Sequence, residues 1–179
     1  VATGADLVAY SGFSASNYLE QPYNSDLDFG TGDFSVMGWF KIGAVVGSNY
    51  IFERSIVSGT RMIESYLSNT TGAFNLAAGG SAWISDSTNY GDSIWHFVVI
   101  HRLSGVLNLT IDSKTPLSAA STGTASDAAA VTAIGSRAHM AGISPFGGSL
   151  ALWRISATAP TAAQIKEIYE AEKPLFQEN

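Results

Sequence analysis

The stretch from Trp95 to Ile111, WHFVVIHRLSGVLNLTI, constrains this chain more than any other. Trp95 to Arg102 is a run of aromatic and β-branched residues, the strongest β segment in the sequence. Leu103-Ser104-Gly105 then supplies a turn, and Val106 to Ile111 resumes an apolar strand. Two such runs joined by a Gly-containing turn read as a β-hairpin. Whatever the chain folds into must be built around antiparallel strands.

The remaining segments fit that frame. Tyr18 to Pro22 reads as an early edge strand, because Pro22 cannot donate to a central ladder. Phe34 to Ile42 alternates Phe34, Val36, Gly38 and Phe40 on one face with Met37, Trp39 and Lys41 on the other. Tyr50–Arg54, Arg61–Leu67 and Ala73–Ala77 follow as short strands. The small-residue stretch 118–130 reads as a connection between strands, since a strand resumes at Val131 to Gly135. Phe146 to Ile155 supplies the last strand, with Gly147-Gly148 permitting a bend or bulge. Thr161 to Glu170 is the one good helix, with Thr161 as N-cap and Ile165, Ile168 and Tyr169 on one face. Many short strands with one terminal helix predict an all-β sandwich.

At 179 residues the chain fits one domain. We divide it into a lead-in over 1–17, the sandwich domain over 18–172 and a tail over 173–179. It opens on Val1 and not on Met, as expected of a processed chain or a piece of something longer. Charged residues make up 13%, about half the usual share, so the surface is expected to be rich in Ser, Thr, Gly and Asn or partly hidden in an oligomer. The net charge is −6, and the nine Lys and Arg form no cluster. Neither nucleic acid nor anionic lipid is therefore an expected partner. No apolar run approaches the roughly 18 residues of a membrane span. With no cysteine, disulfides, thiolate catalysis and Cys-based zinc sites are excluded.

The order of five motifs resembles the laminin-G-like, concanavalin A-like jelly-roll family. They are FSVMGWFKI from Phe34, SIWHFVVIHRLSGVLNLTIDS from Ser93, Ala133-Ile134-Gly135, FGGSLALWRI from Phe146, and TAAQIKEIYE from Thr161. The resemblance implies a two-sheet antiparallel jelly-roll sandwich with a short C-terminal helix. It does not imply a ligand, because this fold hosts lectins, hydrolases and structural modules alike. The closing stretch YEAEKPLF, Tyr169 to Phe176, is also similar to the end of such domains in tailed-phage virion proteins. Many family members carry acids just after the Gly-Gly of the last strand that help ligate calcium. Leu150, Ala151 and Leu152 stand at those positions here.

Catalysis has little to build on. The alternating carboxylates of a glucanase strand are missing, and Glu53, Glu64 and Asp112 read as isolated, solvated residues. No Gly-x-Ser-x-Gly nucleophile elbow occurs. His96 and His101, five apart on one strand, point to opposite faces and cannot share a metal ion; His139 is the third histidine. No enzyme activity and no cofactor are expected. Asp26, Asp28 and Asp33 offer oxygen ligands in a Gly-containing loop that a calcium ion could use, although the loop lacks full calcium-loop spacing and the same residues are ordinary turn formers.

Carbohydrate binding is the positive candidate. The loop Gly79–Asp92 holds Trp83, Asp86, Asn89 and Tyr90, aromatic faces for stacking beside groups that bond hydroxyls. The alternative is that Trp83 plugs the end of the sandwich. Trp39, Trp95 and Trp153 lie on strands and are expected in the core. The favoured reading is a non-catalytic binding or structural module of a virion or other surface assembly, such as a phage capsid decoration, tail or fibre component. Such a module would be virion-borne or extracellular and oligomeric, partnered by other subunits and in weak contact with a cell-surface glycan. A dedicated carbohydrate-binding module of a secreted protein is the second reading, and a glycoside hydrolase the third and disfavoured one.

Overall fold

The computed structural model describes residues 8–56, 59–80, 82–138 and 143–176; His139 lies outside them. Eleven strands and one α-helix are found among these residues, in the order β1 (Leu19–Gln21), β2 (Phe34–Lys41), β3 (Asn49–Ile56), β4 (Arg61–Leu67), β5 (Phe74–Ala78), β6 (Ala82–Asp86), β7 (Trp95–Leu103), β8 (Val106–Ile111), β9 (Leu117–Ala120), β10 (Ala130–Ile134), β11 (Ser149–Ser156) and α1 (Ala162–Glu172). They form two antiparallel sheets, one of six strands in the order β1-β10-β3-β4-β5-β6 and one of five in the order β11-β2-β7-β8-β9. The expected all-β sandwich with one C-terminal helix is the observed fold.

Alternation along the strands makes the core between the sheets. Phe34, Val36 and Phe40 of β2 meet Val98 and Ile100 of β7 and Leu107 and Leu109 of β8 across from Ile51, Phe52, Ile63, Phe74 and Leu76. A break in the β3–β4 register between Tyr50 and Phe52 lets the consecutive Ile51 and Phe52 both enter that core. The hairpin read from the sequence pairs Leu103 with Val106 and Val98 with Ile111. Pro22 follows β1, which does lie at a sheet edge.

The five-stranded sheet is covered on its outer face as well. Met37, Trp39, Phe97, Val99 and Ala151 form a second apolar cluster with Ile165 of α1, with Tyr169 and Phe176 packed against it. The Trp39 ring stacks 4.3 Å from Phe176 and 5.8 Å from Tyr169. That is why β2 is buried almost throughout. Trp39 is core as expected, whereas Trp95 is only half-buried and stands against Phe176. In β11 a bulge between Ala151 and Arg154, with Leu152 at φ 51°, turns Trp153 onto Gly38, where its indole leaves no room for a Cβ.

The small-residue stretch is tied down by a buried arginine. Arg102 donates to the carbonyls of Gly30, Gly32 and Gly123 at 2.7, 2.7 and 2.9 Å while its guanidinium lies over the Phe34 ring. Residues 118–120 of that stretch, expected as connection, are themselves part of β9, and 121–129 connect it to β10 against the sheet end. The lead-in also makes contacts: Tyr10 exchanges two backbone hydrogen bonds with Leu150, and Phe13 packs on Phe146.

Candidate functional site

Among the described residues no helix covers the outer face of the six-stranded sheet, and the register decides which side chains stand there. Cross-strand partners share a face, and one row reads Glu53, Glu64, Ala77, Trp83 across β3, β4, β5 and β6. The neighbouring row reads Tyr50, Tyr66, Asn75, Ser85. Tyr50 and Tyr66 stack at 4.9 Å, Trp83 meets Tyr66 edge-on at 6.2 Å, and the Arg137 guanidinium caps Tyr50 at 4.8 Å. An aromatic stripe therefore runs diagonally over the sheet and ends in an indole that is 50% exposed.

Beside the stripe the surface dips. Ala77, the small residue between Glu64 and Trp83, together with Gly59, Gly80 and Ala82, leaves a hollow of about 410 Å³ bounded by Thr60, Arg61, Glu64 and Trp83. Arg61 donates twice to Glu64, at 2.8 and 3.0 Å, and the Tyr50 hydroxyl donates to the same carboxylate at 3.3 Å. Burial works against the Arg61 charge, but the Glu64 carboxylate outweighs it and holds the guanidinium above its ordinary value. Burial, then Glu64, raises both the Tyr50 and Tyr66 hydroxyls above the tyrosine range, so both remain donors. The hollow thus offers one stacking face, the Thr60 hydroxyl and a cation held by Glu64.

Glu53 and Glu64 correct the sequence reading. They are neither isolated nor solvated but directly paired across β3 and β4, with exposures of 0% and 3%. Asp112 is likewise committed, accepting the Phe97 amide and contacting His96 Nδ1 at 2.7 Å.

The predicted sugar loop is only partly a loop. Its first half forms β6, with Ala82 and Ile84 facing the core and Trp83 facing out. Trp83 therefore does not plug the sandwich. Tyr90 does: at 1% exposure it lies in the core against Phe40 and His96, and its ring offers no face to a sugar. Its hydroxyl donates to Asp86 at 2.7 Å, and Asp86 also receives the Thr88 amide. Asn89 accepts the Gly91 amide. Of the four residues, then, Trp83 stands in the hollow, while Asp86, Asn89 and Tyr90 shape the turn beyond β6. The signal that would have found Arg61, Glu64 and Tyr66 is register, which no single strand contains.

The three aspartates are not gathered either. Asp28 pairs with the buried Arg54 at 3.4 Å, Asp33 accepts the Ser104 amide at 2.7 Å, and Asp26 lies in a short 3-10 turn. Among the described residues no three His, Asp or Glu side chains come together as a metal site would require.

A laminin-G family model, described as the concanavalin A-like lectin/glucanases superfamily, matches residues 13–166. The chain belongs to this superfamily. No curated protein matches the sequence. Among solved structures, this superfamily member is similar to a heptameric SAP-like pentraxin from Limulus polyphemus at 15% identity and TM-score 0.65, covering 90% of this chain and 80% of that one. It is similar to the binding domain of Paraclostridial Mosquitocidal Protein 1 at 12% identity and TM-score 0.69, covering 93% and 46%. It is also similar to Trypanosoma rangeli sialidase at 9% identity and TM-score 0.68, covering 97% and 29%. The chain spans less than half of the latter two. These likenesses show the fold that lectins and glucanases of the superfamily share.

Proposed function

We propose that the chain is a non-catalytic glycan-binding module whose recognition face is the outer surface of the six-stranded sheet at Trp83, Arg61 and Glu64. The observation that carries this reading is the half-exposed Trp83 indole beside a hollow of about 410 Å³, a volume in the range of small-ligand sites. A sugar ring stacks its apolar C–H face on such an indole and directs its hydroxyls to Arg61 and Thr60, with Glu64 holding Arg61 in place. The same residues speak against hydrolysis. Glu53 is sealed from solvent, and Glu64 is engaged by three hydrogen bonds, so neither is presented to a glycosidic oxygen as a general acid.

A second reading, a building block of a surface assembly such as a phage virion, is supported by a different region. Leu103 and Val106, cross-strand partners at the end of the β7–β8 hairpin, are each at least 40% exposed beside the edge strand β9, a surface suited to burial between subunits. The similarity of YEAEKPLF to the ends of virion domains points the same way.

A glycan array read with and without calcium, on material whose mass is checked by light scattering, separates the two. Specific binding that Trp83→Ala abolishes while the fold is retained supports the first reading. No binding by a protein that is oligomeric overturns it in favour of the second.

A further inference from the structure

The sheet face that carries the hollow has a charge balance of its own. In the ladders Glu20 pairs with Ala133, Ala133 with Glu53, and Glu53 with Glu64, so the row that ends at Trp83 carries three acidic side chains. Two guanidiniums stand against them, Arg61 at the start of β4 and Arg137 over the Tyr50 ring. Of these two, Arg61 lines the hollow, and its side chain is 45% exposed. Glu64 beside it is buried, at 3%.

Glu64 takes Nη1 of Arg61 with both of its oxygens, at 3.0 and 2.8 Å. A guanidinium carries its N–H donors on three nitrogens, so donors remain on Nε and Nη2 for a ligand in the hollow. The charge behind those donors is already answered. A ligand carboxylate would meet Arg61 with the Glu64 carboxylate just behind it, and a buried charge is weakly screened by water and salt. The net charge of −6 opposes an acidic ligand at longer range. A hydroxyl or ring oxygen accepts the same N–H groups and meets no such repulsion.

We propose, resting on the glycan-binding reading above, that the hollow takes a neutral pyranose and rejects the same sugar carrying a carboxylate. The Arg61–Glu64 pair makes that distinction. Trp83 supplies the stacking face, and Arg61 and Thr60 supply the hydrogen bonds. Glu64 touches no sugar: it is a positioning residue for Arg61, and its charge sets the cost of an acidic ligand.

The probes are matched sugars of the gluco, galacto and manno series, each presented as the neutral hexoside, its uronic acid and the methyl ester of that acid. The hexoside and the ester are expected to bind about tenfold more tightly than the acid. Their affinity should change less than about twofold between roughly 50 mM and 500 mM sodium chloride, since no net charge is neutralised. Glu64→Gln keeps an acceptor for Arg61 and removes the negative charge, so the acid should gain about tenfold and close the gap. The comparisons on the parent chain stand whether or not that variant folds. An acid bound as tightly as its ester, or a gap unchanged in folded Glu64→Gln, overturns the neutral assignment and leaves glycan binding standing. Binding to none of the sugars removes the glycan reading itself, and this assignment with it.

Discussion

The indole N–H of Trp39 donates to the carboxylate of Glu172 over 2.7 Å, joining the centre of β2 to the last residue of α1. Glu172 uses its other oxygen for Arg154 at 2.6 Å. One carboxylate therefore fastens the helix to two strands above an aromatic stack. Glu172→Ala leaves a buried indole N–H unpaired, a loss of about 1.5–3 kcal/mol for a hydrogen bond to a charged group. Urea unfolding should show the unfolding free energy falling by that amount, with an unchanged slope. Glu172→Gln, which keeps the acceptor, should recover about half of it.

Tyr90 and Asp86 make a second buried attachment, holding the turn after β6 to the core. Tyr90→Phe removes the hydrogen bond without opening a cavity, and about 1–3 kcal/mol of stability should go with it. Burial pushes the Asp86 carboxyl upward, but the Thr88 amide and the Tyr90 hydroxyl outweigh it and hold the pKa below its ordinary 3.8. A depressed carboxylate contributes stability above its unfolded pKa and loses it as pH falls through the lower folded value. Thermal melts between pH 5 and pH 2 should therefore fall less steeply in Tyr90→Phe than in the parent chain.

The close approach of Trp153 to Gly38 gives a third test. An added methyl at Gly38 would stand 2.7–2.8 Å from the Trp153 indole carbons, and that indole also donates to the Trp39 carbonyl at 3.1 Å. Gly38→Ala should cost about 1–3 kcal/mol, as overpacking does in a filled core. Near-ultraviolet circular dichroism should report the displaced indole. A variant as stable as the parent would show that β11 can slide away at its bulge.

What was legible in the sequence was whatever depends on neighbours along the chain. The alternation in FSVMGWFKI and WHFVVIHRL sorted Phe34, Val36 and Phe40 from Met37 and Trp39, and both sets lie where that alternation puts them. Thr161 announced the helix start, and the structure adds Gln164 to complete its capping box. The strand β6 escaped because Trp83, Ile84 and Ser85 are set among Gly, Ser, Asn and Asp, whose turn chemistry masks a five-residue alternation. The candidate site escaped for a deeper reason. Arg61, Glu64, Ala77 and Trp83 lie on three strands, and only the register of β4, β5 and β6 brings them together. Tyr90 misled for the opposite reason: an aromatic in a polar loop looks exposed until the sandwich end needs a plug.

His96 provides the clearest dependence on pH. It is clasped between Asp112 at Nδ1, 2.7 Å, and Asp92 at Nε2, 3.2 Å, with the Phe40 and Tyr90 rings against it. Burial disfavours the imidazolium, yet the two carboxylates outweigh burial and raise the pKa above 6.5. A raised histidine pKa contributes stability that is complete below the unfolded value and is lost as pH rises through the folded one. The parent chain should thus be more stable at pH 6 than at pH 9 by this contribution. His96→Gln keeps a donor for one of the two aspartates but cannot be charged, so it should flatten the melting temperature across that range. A slope unchanged in His96→Gln would assign the pH dependence to another group.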